Sequence, residues 1–117
     1  MGRWETIRRV YERRREERER LRKETIRKVF EALDKLAETV KFEEAVIFGS
    51  LVKPFRFTER SDVDIAFKGL EGDKLFYAVA FLSGEIGREV DIVELERVKF
   101  ADKIEREGLR WRRGSNY

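Results

Sequence analysis

At 117 residues the chain is long enough for one small domain with a modest core and too short for two. Charged residues make up 44% and hydrophobic ones 41%, a balance that excludes both compositional disorder and a membrane-spanning protein. Cysteine and histidine are absent, which excludes disulfides, thiolate metal sites, histidine acid–base catalysis and most zinc sites.

Any catalysis must therefore rest on carboxylates and a metal. The net charge of +3 is small for so charged a chain, and Arg, Lys and Glu are abundant while Gln is absent. That pattern is the one found in thermophilic proteins built on ion-pair networks. No apolar run reaches the length of a transmembrane span, and Met1-Gly2-Arg3-Trp4-Glu5 does not begin a secretory signal. The expected compartment is the cytoplasm, with no membrane partner.

Residues 1–40 read as one long charged helix, with no Pro and no Gly after Gly2. Ile7, Val10 and Tyr11 begin an apolar stripe that resumes at Leu21, Ile26, Val29, Phe30, Leu33, Leu36, Ala37 and Val40. Only this second half has a stripe broad enough to pack on a sheet. The segment Glu12 to Arg20 has no apolar residue, and this part of the helix reads as a solvated face with i,i+4 pairs such as Glu16–Arg20, Glu19–Lys23 and Glu24–Lys28. The first half, with Trp4, Ile7 and Tyr11, is expected to project or to pair with another chain, a route to a homo-oligomer. A nucleic-acid-binding role for this helix is opposed by its interleaved glutamates.

Residues 41–109 form the expected core. Ala45-Val46-Ile47-Phe48 reads as a buried strand ended by Gly49-Ser50. The loop Leu51 to Arg60 holds the single proline, Pro54, and two expected anchors, Phe55 and Phe57. A second strand starts at Ser61-Asp62-Val63-Asp64-Ile65-Ala66-Phe67, with Asp62 and Asp64 projecting from one face. Asp73 is an expected helix N-cap, and Leu75, Phe76, Val79, Ala80, Leu82 and Ile86 mark a broadly apolar, buried helix closed by Gly84 and Gly87. Glu89 to Leu95 is the next strand, and Val98 to Glu107 a short helix carrying Phe100, Ala101 and Ile104, stopped by Gly108. Leu109 and Trp111 add a final extended segment, and residues 110–117 read as a basic, frayed tail.

Two carboxylates side by side at a strand start repel one another unless a cation sits between them, and two hard oxygen ligands with room for water and phosphate suit Mg²⁺. A Gly-Ser turn nearby offers backbone N–H groups and a hydroxyl to a phosphate. Asp91 stands inside an otherwise apolar strand, where a charge is costly unless paired or metal-bound.

Gly49-Ser50, a spacer, then Ser61-Asp62-Val63-Asp64 resembles the GS…SDxD signature of the nucleotidyltransferase superfamily that includes DNA polymerase β, in its minimal nucleotidyltransferase branch. The likeness covers roughly Phe42 to Leu109. It implies an α/β (α+β) nucleotidyltransferase fold with a small mixed sheet, helices packed on one side and a long N-terminal helix. It implies that Asp91 completes a catalytic and metal-binding triad with Asp62 and Asp64, holding two Mg²⁺ ions. Gly49, Ser50, Lys53 and Ser61 become the nucleotide-binding residues, with ATP as donor. Ser61 also fits a brace for the turn. Lys53 and Pro54 depart from the GSxARG-like run of minimal members, since lysine is a point charge and proline removes a backbone donor. The implied role is an antitoxin that adenylylates a tyrosine of a HEPN-type RNase toxin. The alternative is a non-catalytic antitoxin that neutralises its partner by contact.

Overall fold

The computed structural model describes residues 2–115 and 117; Met1 and Asn116, and with them those ends of the expected helix and tail, lie outside the described residues. The chain is an α+β domain in the order α1 (Arg3–Leu36), β1 (Glu44–Phe48), a 3-10 turn (Gly49–Val52), β2 (Val63–Lys68), α2 (Leu75–Ile86), β3 (Val90–Glu94), α3 (Ala101–Glu107) and β4 (Leu109–Arg112). The four strands form one mixed sheet in the order β3-β2-β1-β4. β1 runs antiparallel to β2 and β4, while β2 and β3 are parallel and joined through α2.

Alternation along the strands divides the core in two. Ala45, Ile47, Val63, Ile65, Phe67 and Trp111 face one side, where they meet Ile26, Val29, Leu33 and Leu36 of α1 and Ala78, Leu82 and Ile86 of α2. Phe42 seals this layer edge-on to Phe67 at 4.9 Å and tilted on Trp111 at 5.1 Å. Val46, Ala66 and Leu95 face the other side and are covered by Ile104 of α3. Helices α1 and α2 thus share one side, as the pattern predicts, whereas α3 lies opposite. Its inward residues, the buried Ile104 and the partly buried Ala101, make too narrow a stripe for the main core but fit the small residues Val46 and Ala66.

α1 spans about 50 Å at 1.5 Å per residue, which accounts for the long 60 Å axis of the molecule. Its buried residues begin at Thr25, so the first five turns make no core. Trp4 and Tyr11 are 79% and 61% exposed. The expected i,i+4 pairs are not formed among the described residues; Glu19 turns instead to Arg22 at 2.9 Å.

Four expectations are corrected. α2 buries one stripe only, because Phe76 and Ala80 lie on its outer face, and Lys74 rather than Asp73 occupies its N-cap. Gly84 is inside the helix; Gly87 alone ends it, with φ +75° and its N–H donating to the Ser83 carbonyl. The basic tail is not free at its start. Arg110 and Arg112 lie in β4 and both reach the buried Glu44, at 3.6 and 2.9 Å, and Arg113 donates to the Ala37 carbonyl at the end of α1. No helix of the described residues is long and apolar enough to cross a membrane.

Candidate active site

The site is laid out by strand register. Phe48, the last residue of β1, pairs with Asp64 of β2, and Asp64 pairs with Asp91 of β3. Phe48, Asp64 and Asp91 therefore form a row across the sheet on the side that α3 covers. Paired side chains in such a row stand about 5 Å apart. β2 begins at Val63, two residues later than the sequence pattern suggests. Ser61 and Asp62 belong to the preceding turn, in which the Ser61 N–H donates to the Thr58 carbonyl.

That turn is clamped rather than loose. The Ser61 hydroxyl accepts from the Thr58 N–H at 3.0 Å, so it braces the turn. Arg88, just ahead of β3, donates one Nη1 to the carbonyls of Thr58, Glu59 and Ser61 at 2.9–3.1 Å and stacks on the fully buried Phe57 at 4.6 Å. Arg88 thereby ties the approach to Asp62 to the strand that carries Asp91. Phe57 anchors the loop as expected.

The other half of the loop docks on α1. Arg22 donates to the Leu51 carbonyl at 3.2 Å and to Glu19, and Glu19 accepts the Phe55 N–H at 2.6 Å. The Arg22 hydrogen bond, ahead of that from Phe55, holds the Glu19 carboxyl below its ordinary range against the opposing effect of burial. Phe55 takes a left-handed backbone, φ +64°, uncommon for a bulky side chain, and lies under the Arg15 guanidinium at 4.1 Å. Part of the charged run in α1 thus holds the loop that follows Gly49-Ser50. Charge pattern alone cannot reveal this, because the partners are backbone groups far away in sequence.

Gly49 sits at the centre, with φ +78°. A β-carbon there would fall on Asp64 Oδ2, so only glycine leaves the carboxylate its place. The Asp64 carboxyl is pushed above its ordinary range by burial first, then by the charges of Asp91 and Asp62. None of the three aspartates has an ion-pair partner among the described residues. Nor, among those residues, is any group of three or more His, Cys, Asp or Glu side chains arranged to hold a metal ion. The donors nevertheless fit Mg²⁺ chemically: Mg²⁺ is ordinarily held by one or two carboxylates, with water and substrate phosphate completing its shell.

Beside the acid row opens a cleft of about 520 Å³, lined by Phe48, Gly49, Val52 and Lys53 on one wall and Phe100, Lys103, Ile104 and Glu107 on the other. Of the residues singled out in the sequence, Gly49 and Lys53 line it. Ser50 lies next to Gly49 in the 3-10 turn, and the three aspartates stand outside the cleft, along the row that starts at Phe48. Phe100, Lys103 and Glu107 are additions. Their spacing puts them with Ile104 on a common side of α3; Phe100, expected to pack in one stripe with Ile104, is instead 51% exposed.

No protein-family model matches this chain, and no curated protein matches it. Among solved structures it is similar to a protein from Sulfolobus solfataricus described as a "putative nucleotidyltransferase", with a TM-score of 0.49 and 18% identity over 82% of this chain and 87% of that one.

Proposed function

We propose that this chain is a Mg²⁺-dependent nucleotidyltransferase that moves AMP from ATP to a hydroxyl of a partner protein. The observation that carries the reading is the row Asp64–Asp91 with the left-handed Gly49 laid against Asp64. An unpaired carboxylate cluster beside a bare backbone and an open cleft suits a cation and a phosphate better than it suits stability.

Asp62 and Asp64 would hold one Mg²⁺, and Asp91 would join them for a second. When bound, the ions supply positive charge to the triphosphate and to the attacking and leaving oxygens. Gly49 and Ser50 cradle the β- and γ-phosphates, and Lys53, at the rim of the cleft, adds a positive charge. The acceptor oxygen attacks the α-phosphorus, its proton passes to Asp91, and the bond to the β-phosphate breaks to release pyrophosphate. Ser61 and Arg88 brace the turn that leads into Asp62.

The partner we favour is a HEPN-type RNase toxin modified on a tyrosine, which makes this chain its antitoxin. One observation favours a second reading, neutralisation by contact alone: Trp4, Ile7, Val10 and Tyr11 are exposed on the part of α1 that makes no core. The same stripe would serve a second copy of the chain.

Calorimetric titration with ATP, with and without Mg²⁺, on the wild type and Asp62→Ala tests the site. Mg²⁺-dependent binding that Asp62→Ala abolishes is the expected result. Absence of such binding in the wild type would leave only the contact reading. Label from α-³²P-ATP appearing on a tyrosine of a HEPN-type partner would identify the acceptor.

A further inference from the structure

Beyond Gly49 and Lys53, the cleft between the 3-10 turn and α3 has no task in the transfer chemistry itself. Its floor is apolar, from Phe48, Val52 and Ile104, and its volume of about 520 Å³ falls within the roughly 300–1,000 Å³ of small-molecule sites. It shares Phe48 with the acid row and Gly49 with the phosphate turn, so a molecule anchored by phosphates at Gly49 borders it directly.

Two lysines against one glutamate give its lining a net positive charge, suited to an anionic ligand. Phe100, at the N-cap of α3, presents a ring that is 51% exposed at the rim. Such an aromatic, uncovered beside an apolar slot, is a platform for a flat heterocycle. Glu107, two turns on, contributes a carboxylate, which when ionised only accepts hydrogen bonds. It therefore favours a ring edge that donates and repels one that presents a carbonyl oxygen.

Gly108 fixes this wall. A β-carbon there would meet the Val46 side chain and, at 2.8 Å, the Ile47 carbonyl, so the end of α3 is packed closely on β1. Phe100 and Glu107 are thus carried by an anchored helix.

We propose that this cleft is the base-recognition site, in which Phe100 stacks on the heterocycle of the nucleotide and Glu107 accepts a hydrogen bond from its exocyclic amino group, selecting adenine over hypoxanthine. The proposal rests on the nucleotidyltransferase reading and supplies the specificity that reading leaves open. Lys53 and Lys103, on opposite walls, carry positive charge between base and phosphates.

The test is titration of the full chain with Mg²⁺–ATP and Mg²⁺–ITP, since ITP replaces the amino group by a carbonyl. The wild type should prefer ATP by about tenfold or more. Phe100→Ala should weaken ATP about tenfold, and Glu107→Gln should bring ATP and ITP to within about threefold, because glutamine both donates and accepts. Thermal melts of both variants, each altered at an exposed side chain, confirm that they are folded. Equal ATP and ITP affinities in the wild type, or variants that bind as the wild type does, would overturn the proposal. Asp64→Asn separates the two readings. If it loses Mg²⁺–ATP while the cleft variants do not, the transfer site stands and the cleft assignment falls. If the wild type binds no ATP at all, both fall.

Discussion

Gly49 and Asp64 meet where β1 ends and β2 begins, and the carboxylate oxygen of one takes the space that a β-carbon on the other would need. Gly49→Ala is therefore expected to lose about 1–2 kcal/mol from the left-handed backbone alone, before the carboxylate is displaced. Thermal melting reads that loss. Transfer from ATP should fall further, on the order of a hundredfold, because misplacing one reacting group by an ångström has that effect. A variant as stable as the wild type would show that the close approach is not obligatory.

Asp64 is held above the ordinary carboxylate range by burial, then by Asp91 and Asp62. The folded state thus binds this proton more tightly than the unfolded chain. The stability so gained is full below the unfolded pKa and is lost as pH rises through the raised folded one. At neutral pH the ionised carboxylate works against the fold. Asp64→Asn should accordingly melt higher than the wild type at pH 7, with the gap closing below about pH 4. Added Mg²⁺ should narrow the gap by raising the wild type alone.

Glu19 works in the opposite sense. Its carboxyl is lowered, chiefly by Arg22, so the stability it brings is present above the ordinary carboxylate range and lost as pH falls through the lowered value. The pair is partly buried against the loop, and ion pairs one helical turn apart contribute roughly 0.3–1 kcal/mol. A double-mutant cycle of Glu19→Ala and Arg22→Ala should give a coupling in that range. The sharper readout is local: amide exchange at Phe55, whose N–H Glu19 accepts, should accelerate in Glu19→Ala while that of Ile65 stays slow.

Gly108 has an ordinary negative φ, so strain plays no part there. Gly108→Ala nonetheless places a methyl against two carbonyl oxygens and Val46, of which only the last can yield. Overpacking of this kind is expected to lower stability by about 1–3 kcal/mol. Because α3 must lift off β1 to relieve it, the affinity for ATP should change along with the melting temperature.

The reach of the sequence differs from element to element. The second half of α1 and the strands around Ile47, Ile65 and Ile92 carry enough apolar periodicity to be placed within a few residues, and Asp91 beside Asp64 follows once two strands are set parallel. The start of β2 does not follow, because the Arg88 clamp on residues 58–61 depends on a side chain 27 positions downstream of Ser61. Nor does the role of Arg110 and Arg112. Arginines near a chain end resemble a tail until Glu44, 68 positions before Arg112, is seen to be their partner. The exposure of Phe76 escaped for a different reason: an apolar run on a short helix conceals which single face is covered. Composition reveals that a carboxylate or an aromatic is present, and register alone reveals what it faces.

β1 is the first strand in the chain, yet it lies between β2 and β4, and β4 is the last. One edge of β1 therefore keeps its backbone donors and acceptors unpaired until a segment some 65 residues later arrives, and closing so long a loop is slow. The sheet can assemble its β2–β3 half, with Asp64 and Asp91 already side by side, while α3 and β4 are still unattached. α3, which lies between β3 and β4 in the chain, is therefore expected to settle on the sheet together with β4. Acid row and cleft, contiguous in the finished molecule, are thus held by different strand pairs, and weakening the Arg112–Glu44 contact is expected to loosen the cleft wall before it disturbs the aspartates.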